Sequence, residues 1–205
     1  MEVGDCMGAK YRTKINKLPT IEKTLKSIGS KTVKVGALKG DNAWLAGIHE
    51  YGCNIKAKES QYLTVPICSE AVGKKAKEFD DLFCIKTKKG NLLLVKKDGN
   101  SVIPYYWLTK SVKIPERSFL RTGHDENIDR ILKQTERAIG QVLAGKMSID
   151  RLLDIYGQQM ATAIKNKMSS MSNPPNSSIT LEQKGTNTPL RNTGNLIESI
   201  VYKKD

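Results

Sequence analysis

The chain has only seven arginines beside 27 lysines, two histidines, two tryptophans and three phenylalanines. It has no apolar run near the ~20 residues that a membrane-spanning helix requires. Leu92-Leu93-Leu94-Val95 is among the longest such runs, and charge flanks it. The first residues lack the basic-then-apolar pattern of a secretory leader, so a soluble, intracellular protein is expected. The four cysteines, Cys6, Cys53, Cys68 and Cys84, form no CxxC pair, and both histidines stand far from such a pattern. That spacing argues against a structural zinc site and suits thiols in a reducing compartment. Scarce arginine matters too. Lysine is a solvated point charge without the planar fork that grips phosphates bidentately. Charge without base readout is expected.

What is present is a net charge of +13 on 205 residues, enough chain for one full core or one domain with a small insertion. Such a surface either keeps the protein soluble or meets DNA or an acidic partner. Catalytic patterns fail one by one. His49-Glu50 begins an HExxH-like string, but Cys53 stands where the second histidine belongs, which leaves His49-Glu50 as a polar edge on a short packing helix. Ser118, His124 and Asp125 are the residue types of a hydrolase triad, yet near neighbours on one helix cannot line up, and no nucleophile elbow is present. Lys184-Gly185-Thr186 copies the end of a phosphate loop without its glycine spacing. Tyr105-Tyr106-Trp107 beside lysines could stack on bases. Neighbours on a strand face opposite ways, however, so at most Tyr105 and Trp107 share a face, and packing is the expected use. No enzyme activity, cofactor or metal is expected.

Periodicity then outlines the elements. Residues 1–13 read as an arm. Ile21, Leu25 and Ile28 mark one helix face, with Pro19 in its first turn and Gly29 at its stop. Val33 and Val35 alternate with lysines as a half-buried strand. Lys39-Gly40-Asp41-Asn42 reads as a turn, with Asp41 or Asn42 capping a short helix that carries Trp44, Leu45, Ile48 and Tyr51. Residues 53–112 read as an inserted β-meander. Its strands are Tyr62–Ile67, Leu82–Lys86, Leu92–Lys96 and Val102–Leu108, with turns at Lys88–Asn91 and Asp98–Asn100. A helix is expected from Pro115 and Glu116 to Ala144, with Leu132 among its core residues. A second, capped by Ser148, carries Leu152, Leu153, Ile155, Tyr156, Met160, Ile164 and Met168. Residues 169–180 cannot be helical. A short helical turn and a final strand close the chain around Leu196–Tyr202. The expected fold is α+β, a small mainly antiparallel sheet packed by two long helices. Residues 14–52 and 113–205 form its core and residues 53–112 a β-rich subdomain.

Several short blocks occur in a telling order: Ile48-His49-Glu50-Tyr51-Gly52, then Ile114-Pro115-Glu116-Arg117-Ser118-Phe119-Leu120-Arg121, then Pro174-Pro175-Asn176-Ser177, Lys184-Gly185, Pro189-Leu190 and Thr193-Gly194-Asn195-Leu196. In that order they resemble a family of tail-completion or neck proteins of long-tailed bacteriophages, over roughly residues 14–203. The resemblance implies a structural virion protein of tail-terminator-like fold. It would sit at the head–tail junction and complete the tail as a ring, most commonly of six copies. Its partners would be itself, the tail tube or sheath and neck or connector proteins, with non-specific contact with passing DNA and no membrane. It would be assembled in the bacterial host cytoplasm. His49, Glu50, Tyr51, Gly52, Pro115, Arg117, Phe119 and Arg121 would be structural motif residues. Pro174, Pro175, Asn176, Ser177, Lys184, Gly185, Pro189, Leu190, Thr193 and Gly194 would form an assembly loop. The meander at 53–112 departs from the shorter members. The alternative from another class is a basic, non-catalytic nucleic-acid-binding protein, whose affinity would fall steeply with salt.

Overall fold

The computed structural model describes residues 16–176, 189–190 and 194–205. The arm at 1–13, and Ser177, Lys184, Gly185 and Thr193 of the expected assembly loop, lie outside them. The order is α1 (Leu18–Gly29), β1 (Val33–Ala37), α2 (Gly40–Tyr51), β2 (Cys53–Lys56), β3 (Leu63–Pro66), β4 (Leu82–Lys86), β5 (Leu92–Asp98), β6 (Ser101–Thr109), β7 (Ser111–Ile114), α3 (Phe119–Asp125), α4 (Ile128–Leu143), α5 (Ile149–Ser170), α6 (Asn195–Glu198) and β8 (Ile200–Lys204). Every strand pairing is antiparallel, and the protein is α+β.

The main core is built around α5. The Ser148 hydroxyl accepts the Arg151 N–H at 3.2 Å and satisfies one of the free donors of the first turn. Met160, Ala161, Ala163, Ile164 and Met168 are buried with Phe119, Ile131, Leu196 and Ile200. One side of α5 carries the ribbon β1–β8, in register Val35↔Tyr202 and Ala37↔Ile200. Alternation turns Val35, Ala37, Ile200 and Tyr202 inward. Gly157 lies under the Tyr202 ring, so a Cβ there would overlap it. The Tyr202 hydroxyl continues to Asp154 at 3.1 Å, and Lys204 reaches Asp154 and Asp150, each at 2.7 Å.

Four features depart from the sequence expectations. Helix α5 runs on to Ser170, two residues into the stretch 169–180 expected to be non-helical. Among the described residues the core sheet has two strands, and the largest sheet lies in 53–112. The helix expected over 116–144 starts at Phe119 rather than at Pro115. It breaks into α3 and α4 around Asn127, whose side chain donates to the Gly123 carbonyl at 3.0 Å. The break gives the two halves different partners. Gly123 of α3 sits against Ile164, where a Cβ would approach the Ile164 Cα to 3.0 Å. On α4, Ile131 joins the main core while Ala138 and Val142 meet Leu152 near the start of α5. Leu132 is 46% exposed and is not a core residue, whereas Ile131 beside it is fully buried. Finally, α2 begins at Gly40 with no side-chain cap from Asp41 or Asn42.

Residues 53–114 leave and rejoin the core through the ribbon β2–β7, where Cys53 pairs with Ile114 and Lys56 with Ser111. Beyond it lies a sheet of order β3–β6–β5–β4, with Pro66 in an edge strand as its missing donor requires. A bulge in β6 opposite Leu94 and Val95 leaves Tyr105 as the extra residue, since Leu94 pairs with Tyr106 and Val95 with Pro104. Strict alternation would separate Tyr105 from Tyr106. The bulge puts both in one buried cluster with Ala71, against which Phe79 packs. Phe79 meets the two rings edge-on at 5.2 and 6.2 Å. The pairing of Tyr105 with Trp107 expected from alternation is therefore replaced by Tyr105 with Tyr106.

Candidate functional site

The end of α2 and the start of α3 meet at one carboxylate. Gly52 stops α2 at φ 70°, and a Cβ there would stand 2.9 Å from the Glu116 amide and 3.0 Å from the Ile114 carbonyl. This close approach, with the β2–β7 pairing behind it, lays residues 114–121 along the α2 terminus. Glu50 is then 2% exposed. Its carboxylate accepts the Ser118 hydroxyl at 2.7 Å and the amides of Leu120 and Arg121 at 2.8 and 3.1 Å. The Arg121 Nε donates to it at 2.9 Å, and the Arg121 Nη2 reaches the Glu50 carbonyl at 3.1 Å and Glu116 at 2.7 Å. A helix N-terminus exposes unsatisfied N–H groups and partial positive charge. Glu50 supplies the acceptor from a different helix, as an N-cap in trans. Burial pushes its pKa up, but the hydrogen bonds from Ser118, Arg121 and the two amides outweigh burial and hold it below the ordinary carboxylate value. The polar edge expected at His49-Glu50 is thus a buried, compensated ion.

Arg117 extends the node. Its amide donates to the His49 carbonyl at 2.6 Å. Its side chain, also buried, donates from Nε to the Pro174 carbonyl at 2.9 Å and from Nη2 to the Pro175 carbonyl at 3.0 Å. Burial lowers its pKa from the usual arginine value. Tyr51 lies outside, its ring 5.1 Å from the Arg121 guanidinium. Phe119 is fully buried in the main core directly beneath. Three blocks far apart in sequence, around Glu50, Arg117–Arg121 and Pro174–Pro175, therefore share one hydrogen-bonded knot. Sequence order alone could not reveal this. The available signal was a glutamate within the mainly apolar segment Trp44–Tyr51, followed much later by two arginines four residues apart.

The chemistry available here is limited. The carboxylate is filled by four donors and neutralised by Arg121, which makes it a weak base. Ser118 donates its hydroxyl to that carboxylate, while His124 sits at the far end of α3 with Asp125 at 2.8 Å. Six residues of helix separate the Ser118 and His124 backbones by about 9 Å. Among the described residues, no three histidine, cysteine, aspartate or glutamate side chains are grouped as a metal site. No described helix is long and apolar enough to cross a membrane.

The remaining sequence candidates scatter. Pro115 is half-buried in the β7–α3 connection. Pro174 and Pro175 belong to the knot and Asn176 follows them, whereas Pro189 and Leu190 are buried, Leu190 in the main core. Those two anchor the chain instead of presenting a surface. Gly194 takes φ 87° as the residue before α6. No family model, curated protein or solved structure matches this chain.

Proposed function

We propose that this chain is a structural protein of the head–tail junction of a long-tailed bacteriophage, acting as a ring that completes or terminates the tail. The observation that carries the reading is the knot. The blocks on which the resemblance rests, separated by 68 residues between Glu50 and Ser118 and by 57 between Arg117 and Pro174, hold one another in place through buried hydrogen bonds. Residues brought together for architecture, with their polar groups consumed by each other, are what a scaffold requires. A second observation supports assembly. Both strands of the β1–β8 ribbon keep one side without a strand partner among the described residues, and a ring needs edges to share.

The test is composition. Particles or purified tails of the virus that encodes the chain should contain it at six copies per tail, counted by quantitative mass spectrometry, and labelled density should fall at the neck. One or two copies, or absence from the particle, overturns the reading. The chain in isolation is expected to be monomeric, with the tail end as its template.

A further inference from the structure

The sheet in 53–112 has two faces, and the buried tyrosine cluster covers only one. On the other, register places Val65, Trp107, Leu93 and Ile85 side by side across all four strands. Phe83 follows in the next row, paired with Val95. That row of four is half-buried and belongs to no core cluster; Phe83 is 42% exposed, and Val95 between them is buried. Among the described residues no α-helix packs extensively against β3, β4, β5 or β6. A contiguous apolar face on a soluble chain marks a contact surface.

The charges around it select the occupant. Lys97 projects on the same face beyond Val95. Lys88 and Lys89 border the row in the β4–β5 turn, and Lys110 borders it after β6. These four make no ion pair among the described residues. Three carboxylates of the segment are engaged elsewhere, Asp81 with Lys96 at 2.8 Å, Glu70 with the Tyr105 hydroxyl at 2.5 Å and Glu78 with the Lys75 amide at 3.0 Å, while Asp98 alternates with Lys97 and so falls on the opposite face of β5. A second copy docked face to face would bring lysine rim against lysine rim. Nucleic acid fits poorly, because Val65, Leu93 and Ile85 cannot stack on bases and the segment 53–112 has no arginine.

We infer that this face binds a different protein, through an apolar patch bordered by aspartates or glutamates. Complementary charge at the rim would steer the encounter and fix its orientation, while the Trp107 row supplies the buried contact. The inference does not depend on the head–tail reading, since a ring could form with this face bare.

The experiment places the photo-cross-linking residue p-benzoylphenylalanine at Phe83 of the full chain, in the cells that make it. Cross-linked peptides are then sequenced. The expected product is a peptide of another protein with apolar residues flanked by carboxylates. Reversal of two exposed charges, Lys89→Glu with Lys97→Glu, should lower its yield at least tenfold, and a carboxylate→Lys change in the partner should restore it. A peptide from this same chain, a nucleic-acid adduct, no product, or a yield indifferent to charge reversal would each overturn the inference. Counting copies in tails is a separate measurement, so either idea can fail without the other.

Discussion

At the residue scale, Glu50 is the side chain on which most depends. Leaving buried donors without their acceptor typically costs about 1–3 kcal/mol. Glu50→Ala strands the Ser118 hydroxyl and two amides, while Arg121, 52% exposed, keeps Glu116, so stability should fall by about 1–3 kcal/mol in chemical denaturation. Glu50→Gln keeps shape and loses charge, and should cost less. The sign of the pH effect follows from the lowered pKa. The contribution is fully present above the ordinary value of 4.5 and is lost as pH falls through the lower folded-state pKa. Wild type should thus lose melting temperature on acidification below about pH 4.5 more steeply than Glu50→Gln does. Parallel curves would remove Glu50 from the role given to it. Tyr105 offers a second reading at high pH. Its hydrogen bond to Glu70, with burial, pushes its phenol up to about 12. In an absorbance titration of the folded protein, the Tyr105→Phe variant should lose one tyrosine that ionises near that value.

At the scale of elements, the contrast between Leu132 and Leu152 tests the broken helix. Leu152 is 2% exposed, and its replacement by alanine should cost about 2–5 kcal/mol. Leu132→Ala on the exposed side of α4 should cost well under 1 kcal/mol by the usual size of surface substitutions. Equal costs, measured by denaturant unfolding, would reinstate a single long helix. The comparison also explains what sequence could and could not supply. Helix α1, strand β1, the Ser148 cap, the two hairpin turns and the closing α6–β8 were all legible, since propensity, caps and turn residues act locally. The break at Asn127 was not, because a run of apolar residues at helical spacing continues across it and only packing against α5 decides where the axis turns. The β6 bulge escaped for a similar reason: nothing in Tyr105-Tyr106-Trp107 announces that alternation stops there. Glu50 was hidden because its donors are Ser118, Leu120 and Arg121, remote in sequence. The hairpin logic of β2–β7 gives a further test. Joining Lys56 to Ser111 by a two-residue turn in place of 57–110 should leave the helical circular dichroism of the core and its cooperative melting intact. Global unfolding of that deletion would make the meander part of the core.

At the scale of the whole molecule, the charge of +13 acts through lysine, spread over core and insertion alike. Contact with DNA should accordingly be weak, indifferent to sequence and abolished by moderate salt. Tight, sequence-dependent binding that survives salt would favour a nucleic-acid-reading protein over a scaffold. Such a field also keeps free copies apart in bulk solution, in keeping with the template-assembled ring proposed above.

The pairing of Cys53 with Ile114 has a consequence for how such a chain can change over generations. To the rest of the molecule, everything between those two residues occupies the place of one hairpin. The tyrosine cluster beyond it shares no buried residue with the core around α5. Mutations on either side can therefore accumulate without demanding compensation on the other. A lineage could lose, enlarge or trade the outer sheet by recombination at the ribbon and keep a working body throughout, acquiring new binding specificity in a single genetic event.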